Sequence, residues 1–188
     1  MRIISGKARG TKLYTLDGMN TRPTLDRVKE SIFNIIQNEI DGAKVLDLFA
    51  GSGAIGLEFL SRGAKEAVLC DKSKEAIDVI RKNINKIHME EKTKVFNTDF
   101  ETCLEKIKNQ QFDIIYLDPP YATNYIVKSL KKIIEFGIIT KDSTIIIETD
   151  DEKRILKEIE NLEIEIVDKR KYGRATIIFL KIENEVGS

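Results

Sequence analysis

Val45-Leu46-Asp47-Leu48-Phe49-Ala50-Gly51-Ser52-Gly53 carries a short apolar run straight into a glycine turn. Glycines at a strand-to-helix junction allow a tight turn and let a ligand approach main-chain amides closely. Continued to Gly56, the segment Gly51-Ser52-Gly53-Ala54-Ile55-Gly56 satisfies the G-x-G-x-x-G dinucleotide pattern, and Asp71 follows Gly51 at the spacing of a ribose-binding acid. That pattern alone fits a nicotinamide dinucleotide as well as S-adenosylmethionine. Asp47 tips the reading, because a carboxylate on the approach to the loop suits a zwitterionic amino acid tail better than a pyrophosphate.

Outward from this turn the chain alternates. Apolar runs at Ala67–Cys70, Val95-Phe96, Ile114–Leu117 and Ile145–Ile147 read as strands buried on both faces of a parallel sheet. Between them Ala76, Ile77, Ile80, Ile84 and Ile87, and then Ile126, Leu130, Ile133 and Ile134, recur at helical spacing. A helix at 152–159 and two strands, 163–168 and 175–181, joined through Lys171-Tyr172-Gly173, close the chain as a β-hairpin. The pattern predicts a Rossmann-like α/β fold. Residues 1–40 differ: Gly6, Gly10 and Gly18 punctuate extended pieces at Arg2–Ile4 and Thr11–Leu16, and Leu25, Val28, Ile32, Ile35 and Ile36 mark a helix opening at Pro23-Thr24. We read 1–40 as a basic β-hairpin plus helix packed on a main ligand-binding domain, 41–188, with the boundary near Asp41-Gly42.

Acids recur at the strand ends where ligands of open α/β sheets bind. Asp71, with Lys72 beside it, is placed to accept ribose hydroxyls; Asp99 and Phe100 pair an acceptor for an adenine amino group with a wall for the ring, although Asp99 is equally suited to cap a helix. Asp118-Pro119-Pro120-Tyr121 follows a fully apolar strand, and its prolines end hydrogen-bonded pairing. An exocyclic base amine is a poor nucleophile because its lone pair is delocalised into the ring. If the Asp118 carboxylate and the Pro119 carbonyl accept its N–H bonds, the lone pair turns towards a sulfonium methyl, while Tyr121 stacks on an unpaired or flipped base.

Composition bounds the rest. The 188 residues, 41% apolar and 33% charged, suit one globular domain with its own core. Cys70 and Cys103 form no CxxC pair and read as reduced thiols; no apolar run reaches membrane-spanning length and no secretory leader is evident, so a cytoplasmic protein is expected. His88, the single histidine, falls at a helix end, and neither metal-ligand spacing nor a Ser-His-Asp or Cys-His arrangement can be assembled; no metal is expected. Net charge is zero, yet Arg2, Lys7, Arg9, Lys12 and Arg22 outnumber Asp17 near the start, and Lys169, Arg170, Lys171 and Arg174 outnumber Asp168 near the end. Two basic patches on a neutral body suit a protein that grips a polyanion at one face.

Met1 to Gly10 with Leu13, Thr21-Arg22-Pro23-Thr24, Asp26 to Glu30, Asp47 to Gly53, Asp118 to Tyr121 and Lys171-Tyr172-Gly173 together resemble the RsmD family, bacterial methyltransferases of guanine N2 in 16S ribosomal RNA. The resemblance runs essentially end to end. It implies a class I methyltransferase fold with a seven-stranded, mostly parallel sheet and a reversed last strand. It also implies S-adenosylmethionine seated on Asp47, Phe49, Gly51, Gly53, Asp71, Lys72, Asp99 and Phe100, with catalysis at Asp118, Pro119, Pro120 and Tyr121. Arg22 and Arg27 would lie near the target base or cofactor, and Arg2, Lys7, Arg9, Lys171 and Tyr172 would meet RNA. The implied partner is 16S ribosomal RNA in a partly or fully assembled small subunit, met by a monomer. Other readings remain: methylation of adenine N6 or of a glutamine side chain, which present an amino group to the same motif; a nicotinamide oxidoreductase built on the glycine pattern; and a non-catalytic RNA chaperone, which would not need Asp118.

Overall fold

The apolar runs become the strands of one seven-stranded sheet. In the computed structural model, which describes residues 1–17 and 23–183, β1 (Lys44–Asp47), β2 (Glu66–Asp71), β3 (Thr93–Asn97), β4 (Ile114–Leu117) and β5 (Thr144–Thr149) are parallel, and β6 (Ile164–Tyr172) and β7 (Ala175–Ile182) form the closing antiparallel hairpin. The order is β3-β2-β1-β4-β5-β7-β6, with β7 antiparallel to β5. This is the class I methyltransferase arrangement with its reversed last strand. Its strand order turns around between β1 and β4, which leaves a crevice above their carboxyl ends. Asp47 and Asp118 sit on the two sides of that crevice.

Helices α1 (Pro23–Ile35), α2 (Ala54–Ser61) and α3 (Lys74–Ile87) cover one face, packing Ile32, Phe33, Leu57, Phe59, Ile80 and Ile84 on Val45, Ile114, Ile146 and Phe179. Helices α4 (Phe100–Lys106), α5 (Tyr125–Glu135) and α6 (Glu152–Ile159) cover the other through Cys103, Leu104, Leu130, Ile133 and Ile155. Ser73 caps α3 by accepting the Ala76 amide, and exposed His88 ends it in a left-handed turn, the helix-end place expected of it. Cys70 and Cys103 are buried free thiols. Among the described residues no helix is long and apolar enough to cross a membrane.

The N-terminal hairpin is short: Arg2 and Lys12 form an antiparallel bridge, and around it Ile3 N–H donates to the Thr11 carbonyl, Gly10 N–H to the Ile3 carbonyl and Leu13 N–H to the Met1 carbonyl. The Ile4 and Ser5 amides go to the Glu58 carboxylate, Lys7 N–H to the Ser61 carbonyl and Ala8 N–H to Ser61 Oγ, so this arm is tied to α2 as well as to itself. Contact is close enough that a Cβ on Gly6, whose φ is +85°, would lie 1.9 Å from the Ser61 carbonyl oxygen. Glu58 is fully buried and also meets Lys29 at 2.9 Å and Arg62 at 2.8 Å. Burial lowers the Lys29 pKa against the pull of Glu58. For Glu58, burial works upward but is outweighed by Lys29, the Ile4 amide and Arg62, so its carboxyl lies below its usual range. The partners' shifts oppose each other; convergence of four donors on one carboxylate favours the ionised pair.

The charged run Asp168 to Lys171 continues β6 to Tyr172 rather than forming a loop, because an edge strand can point such side chains into water. A bulge between Ile166 and Asp168 interrupts its pairing with β7, beside the exposed Ile166 and Val167.

Candidate active site

The glycine turn is held from behind. Gly51 and Gly53 take φ of +56° and +81°, conformations that a side chain disfavours, and the Gly51 amide donates to Asp71 Oδ2 at 2.9 Å. Buried Asn83 of α3 donates to the Ser52 carbonyl at 2.9 Å and exchanges two hydrogen bonds with the Tyr14 backbone, binding turn and N-terminal arm together. A Cβ on Gly51 would meet open space, whereas one on Gly53 would press on Ile80. Gly51 therefore borders the cavity, and Gly53, expected beside a cofactor, serves the turn and the packing beneath it; it is absent from the cavity wall.

That cavity, about 580 Å³, opens above the switch point. It is lined by Asp47, Phe49, Gly51, Asp71, Lys72, Asp99, Phe100 and Asp118 through Tyr121, so every expected cofactor and catalytic residue except Gly53 borders one space. Asp47 is the most constrained. Its Oδ2 accepts the Gly56 amide at 3.2 Å, but its buried Oδ1 has no partner among the described residues. Burial pushes its pKa up to about 7, the Gly56 amide opposing and Asp71 assisting. An orphaned buried acceptor in a cavity wall fits an ammonium group, the charge found on an amino acid tail.

Asp71 already receives the amides of Gly51 and Ser73, one on each oxygen, and each oxygen retains a lone pair for a hydroxyl. Asp99 is the N-cap of α4: its oxygens take the Thr102 amide and hydroxyl at 2.9 and 2.8 Å, which lowers its pKa. The capping alternative thus occupies its carboxylate, leaving second lone pairs for an amino group at the cavity edge. Phe100 stands with Phe49 and Tyr125, ring centroids 5.4, 4.9 and 6.2 Å apart, as an aromatic wall. Tyr125, which opens α5, has no motif in the sequence to mark it.

On the other side, Pro119 is buried, the Pro120 carbonyl accepts from Thr123 Oγ1 at 2.8 Å, and Tyr121 is 55% exposed at the rim. The prolines therefore leave the Pro119 carbonyl as the corner's candidate acceptor; the Pro120 carbonyl is engaged. Asp118 is accompanied by two residues the sequence reading missed, Tyr116 and Glu148, which share a hydrogen bond of 2.5 Å. Burial raises the pKa values of Asp118, Glu148 and Tyr116; Glu148 and Asp47 push Asp118 up further, and the Tyr116 hydroxyl partly offsets the rise at Glu148. Five acidic side chains, Asp47, Asp71, Asp99, Asp118 and Glu148, therefore line one cavity, a setting that attracts cations and resists anions.

The residues expected to meet RNA are spread out. Arg2, Lys7 and Arg9 are exposed on the N-terminal arm, and Arg22 lies outside the described residues. Arg27 joins Tyr172 and Arg170 around a shallow recess between α1 and β6, where the Tyr172 hydroxyl bonds to Ser31. Lys171 does not share it: strand alternation puts Arg170 and Tyr172 on the α1 side, and Lys171, paired with Thr176, on the α6 side.

The family described as “Conserved hypothetical protein 95” matches residues 1–181. A Bacillus subtilis protein named “Putative rRNA methyltransferase YlbH” is 36% identical over 96% of this chain and 98% of its own. The Haemophilus influenzae protein named “Ribosomal RNA small subunit methyltransferase D” is 35% identical over 83% of this chain and 82% of its own. Among solved structures, the one titled “Putative methyltransferase yhhF from Escherichia coli” superposes with a TM-score of 0.82 at 26% identity, covering 97% of this chain and 98% of that one.

Proposed function

The chain belongs to the conserved hypothetical protein 95 family, the RsmD methyltransferases, and from that premise we propose that it methylates the exocyclic N2 of a guanine in small-subunit ribosomal RNA, using S-adenosylmethionine. The observation that carries the reading is the convergence in one cavity of a partnerless buried Asp47 oxygen and the Asp118–Tyr121 corner. The first fits an amino acid ammonium and the second a planar amine. A pyrophosphate at the same turn would face a cavity lined by five acidic side chains, which weighs against the nicotinamide alternative.

Bound there, S-adenosylmethionine supplies an electrophilic methyl on a sulfonium sulfur, which keeps the electron pair of the broken carbon–sulfur bond. Asp47 holds the ammonium, Asp71 the ribose hydroxyls, and Phe49, Phe100 and Tyr125 cover the adenine. Asp118 and the Pro119 carbonyl accept the two N–H bonds of the target amine and aim its lone pair; Tyr121 stacks on the base. The nitrogen sheds one proton after transfer, and Asp118, whose pKa is raised by burial and by Glu148, is suited to receive it before water does. The exposed arginines and lysines of the N-terminal arm and of β6 would hold phosphates of the RNA, within a partly or fully assembled small subunit.

Purified protein, labelled S-adenosylmethionine and small-subunit RNA from cells lacking this modification provide the test. Digestion to nucleosides should yield labelled N2-methylguanosine. Label in N6-methyladenosine instead would transfer the assignment to adenine, and label confined to protein would point to a glutamine side chain.

A further inference from the structure

Glu148 enters the methyl-transfer account only through its effect on Asp118, which leaves the placement of its own carboxylate in the cavity wall unexplained. It belongs to the all-buried strand β5, one residue beyond the Leu117–Ile147 register pair, which makes it the lateral neighbour of Asp118 at the end of β4. Side-chain alternation puts Asp118, Glu148 and Tyr116 on the same face of the sheet, the face beneath α1. Tyr116 donates its hydroxyl to Glu148 Oε2 at 2.5 Å, fixing the carboxylate and leaving Oε1 for a ligand. Glu148 is 9% exposed, and that remnant opens on the cavity.

Two side-by-side acceptors at the wall of a base pocket make a chemical demand. Three bases carry an exocyclic amine, but only guanine has a protonated ring nitrogen beside it, N1, opposite the lone-pair-bearing N3; the one ring nitrogen beside the amine in adenine, N1, and in cytosine, N3, presents a lone pair. Guanine therefore offers adjacent donors to the Asp118–Glu148 edge. Adenine or cytosine would set a lone pair against a buried carboxylate, a mismatch that hydrogen-bonding sites reject strongly.

Resting on the guanine-N2 reading above, we propose that Glu148 is the specificity-determining residue of this site, accepting the guanine N1–H while Asp118 holds the amine, with Tyr116 as its positioning residue.

The test uses 2-aminopurine, which keeps the 2-amino group but has an unprotonated N1. Wild-type protein and the Glu148→Gln and Tyr116→Phe variants are assayed on a small-subunit RNA or particle that wild type methylates, carrying either guanine or 2-aminopurine at the target, and kcat/KM is measured for each. Wild type should favour guanine by about 10- to 100-fold. In Glu148→Gln the carboxamide can donate to the unprotonated nitrogen, so the preference should shrink to within about threefold. Tyr116→Phe should give an intermediate ratio. Each figure compares two substrates on one preparation, so partial misfolding cancels, and a merely structural role would depress both rates while leaving the ratio unchanged. An unchanged ratio in Glu148→Gln, or wild type using both bases equally, overturns the proposal while leaving guanine-N2 methylation standing. Absence of N2-methylguanosine from wild type overturns both.

Discussion

Replacing Asp47 with asparagine should make the free protein more stable and the cofactor-bound protein weaker. Asp47 is 1% exposed, and its pKa rises from 3.8 to about 7, chiefly through burial. The folded pKa exceeds the unfolded one, so folding favours the protonated acid; the resulting penalty grows as pH rises from 3.8 towards 7 and is complete above that. Slightly over three units corresponds to about 4 kcal/mol at alkaline pH. Asparagine removes that charge and can keep the Gly56 bond, but it buries an amide donor where Oδ1 stood, at a cost of roughly 2 kcal/mol. The net expectation near pH 8 is a gain of about 2 kcal/mol, or a Tm higher by roughly 4 to 8 °C. Towards pH 5 wild-type Asp47 takes up its proton, so the advantage should shrink by about 2.5 kcal/mol and vanish or slightly reverse. Cofactor affinity should move the other way, falling about 30- to 100-fold in the variant for loss of a charge-assisted bond, and about tenfold per pH unit below 7 in wild type. Thermal unfolding at the two pH values and calorimetric titration with S-adenosylhomocysteine provide the readings. A variant that melts below wild type at pH 8, or whose advantage is the same at both pH values, would refute the reasoning.

Tyr121→Ala, or Asp118→Ala, should abolish methyl transfer while cofactor affinity stays within about tenfold, 1.4 kcal/mol, by equilibrium titration; a larger loss would mean the corner holds the cofactor instead. Lys29→Met leaves the buried Glu58 carboxylate with one ion-pair partner fewer, and urea unfolding should register a loss of about 3 to 5 kcal/mol. Arg27→Ala combined with Arg170→Ala should weaken RNA binding and reduce the slope of log affinity against log salt by up to about 2, with cofactor affinity unchanged; an unaltered slope would remove the α1–β6 recess from the RNA interface.

The five parallel strands, the closing hairpin and the glycine turn were legible in the sequence because each is written in local periodicity. The turn and the Asp-Pro-Pro-Tyr corner could be read because each compresses its chemistry into a few consecutive residues. Glu148 was hidden for the opposite reason: an acid at the end of an apolar run looks like a strand terminus, and its meaning depends on β5 lying beside β4 in a register that no local pattern encodes. Tyr116 looked like another core residue until that neighbour was in place. Lys29 and Glu58 lie in different helices, and only packing of α1 on α2 reveals their pairing. The N-terminal hairpin was legible, but its ties to α2 were not, because alternation cannot tell which backbone donors will find a distant carboxylate. Asp99 and Gly53 do more than their sequence context shows: Asp99 caps α4 while bordering the cavity, and Gly53 serves a packed turn.

The interrupted edge of β6 bears on how such a protein survives at high concentration. Exposed Ile166 and Val167 on an outermost strand would otherwise be a template for a second chain to add on and begin a fibril-like ladder. The extra residue there breaks the repeat, and the succeeding Asp168, Lys169, Arg170 and Lys171 surround any incoming strand with charge. The same cations that suit this edge to a polyanion thus also serve as gatekeepers against self-association.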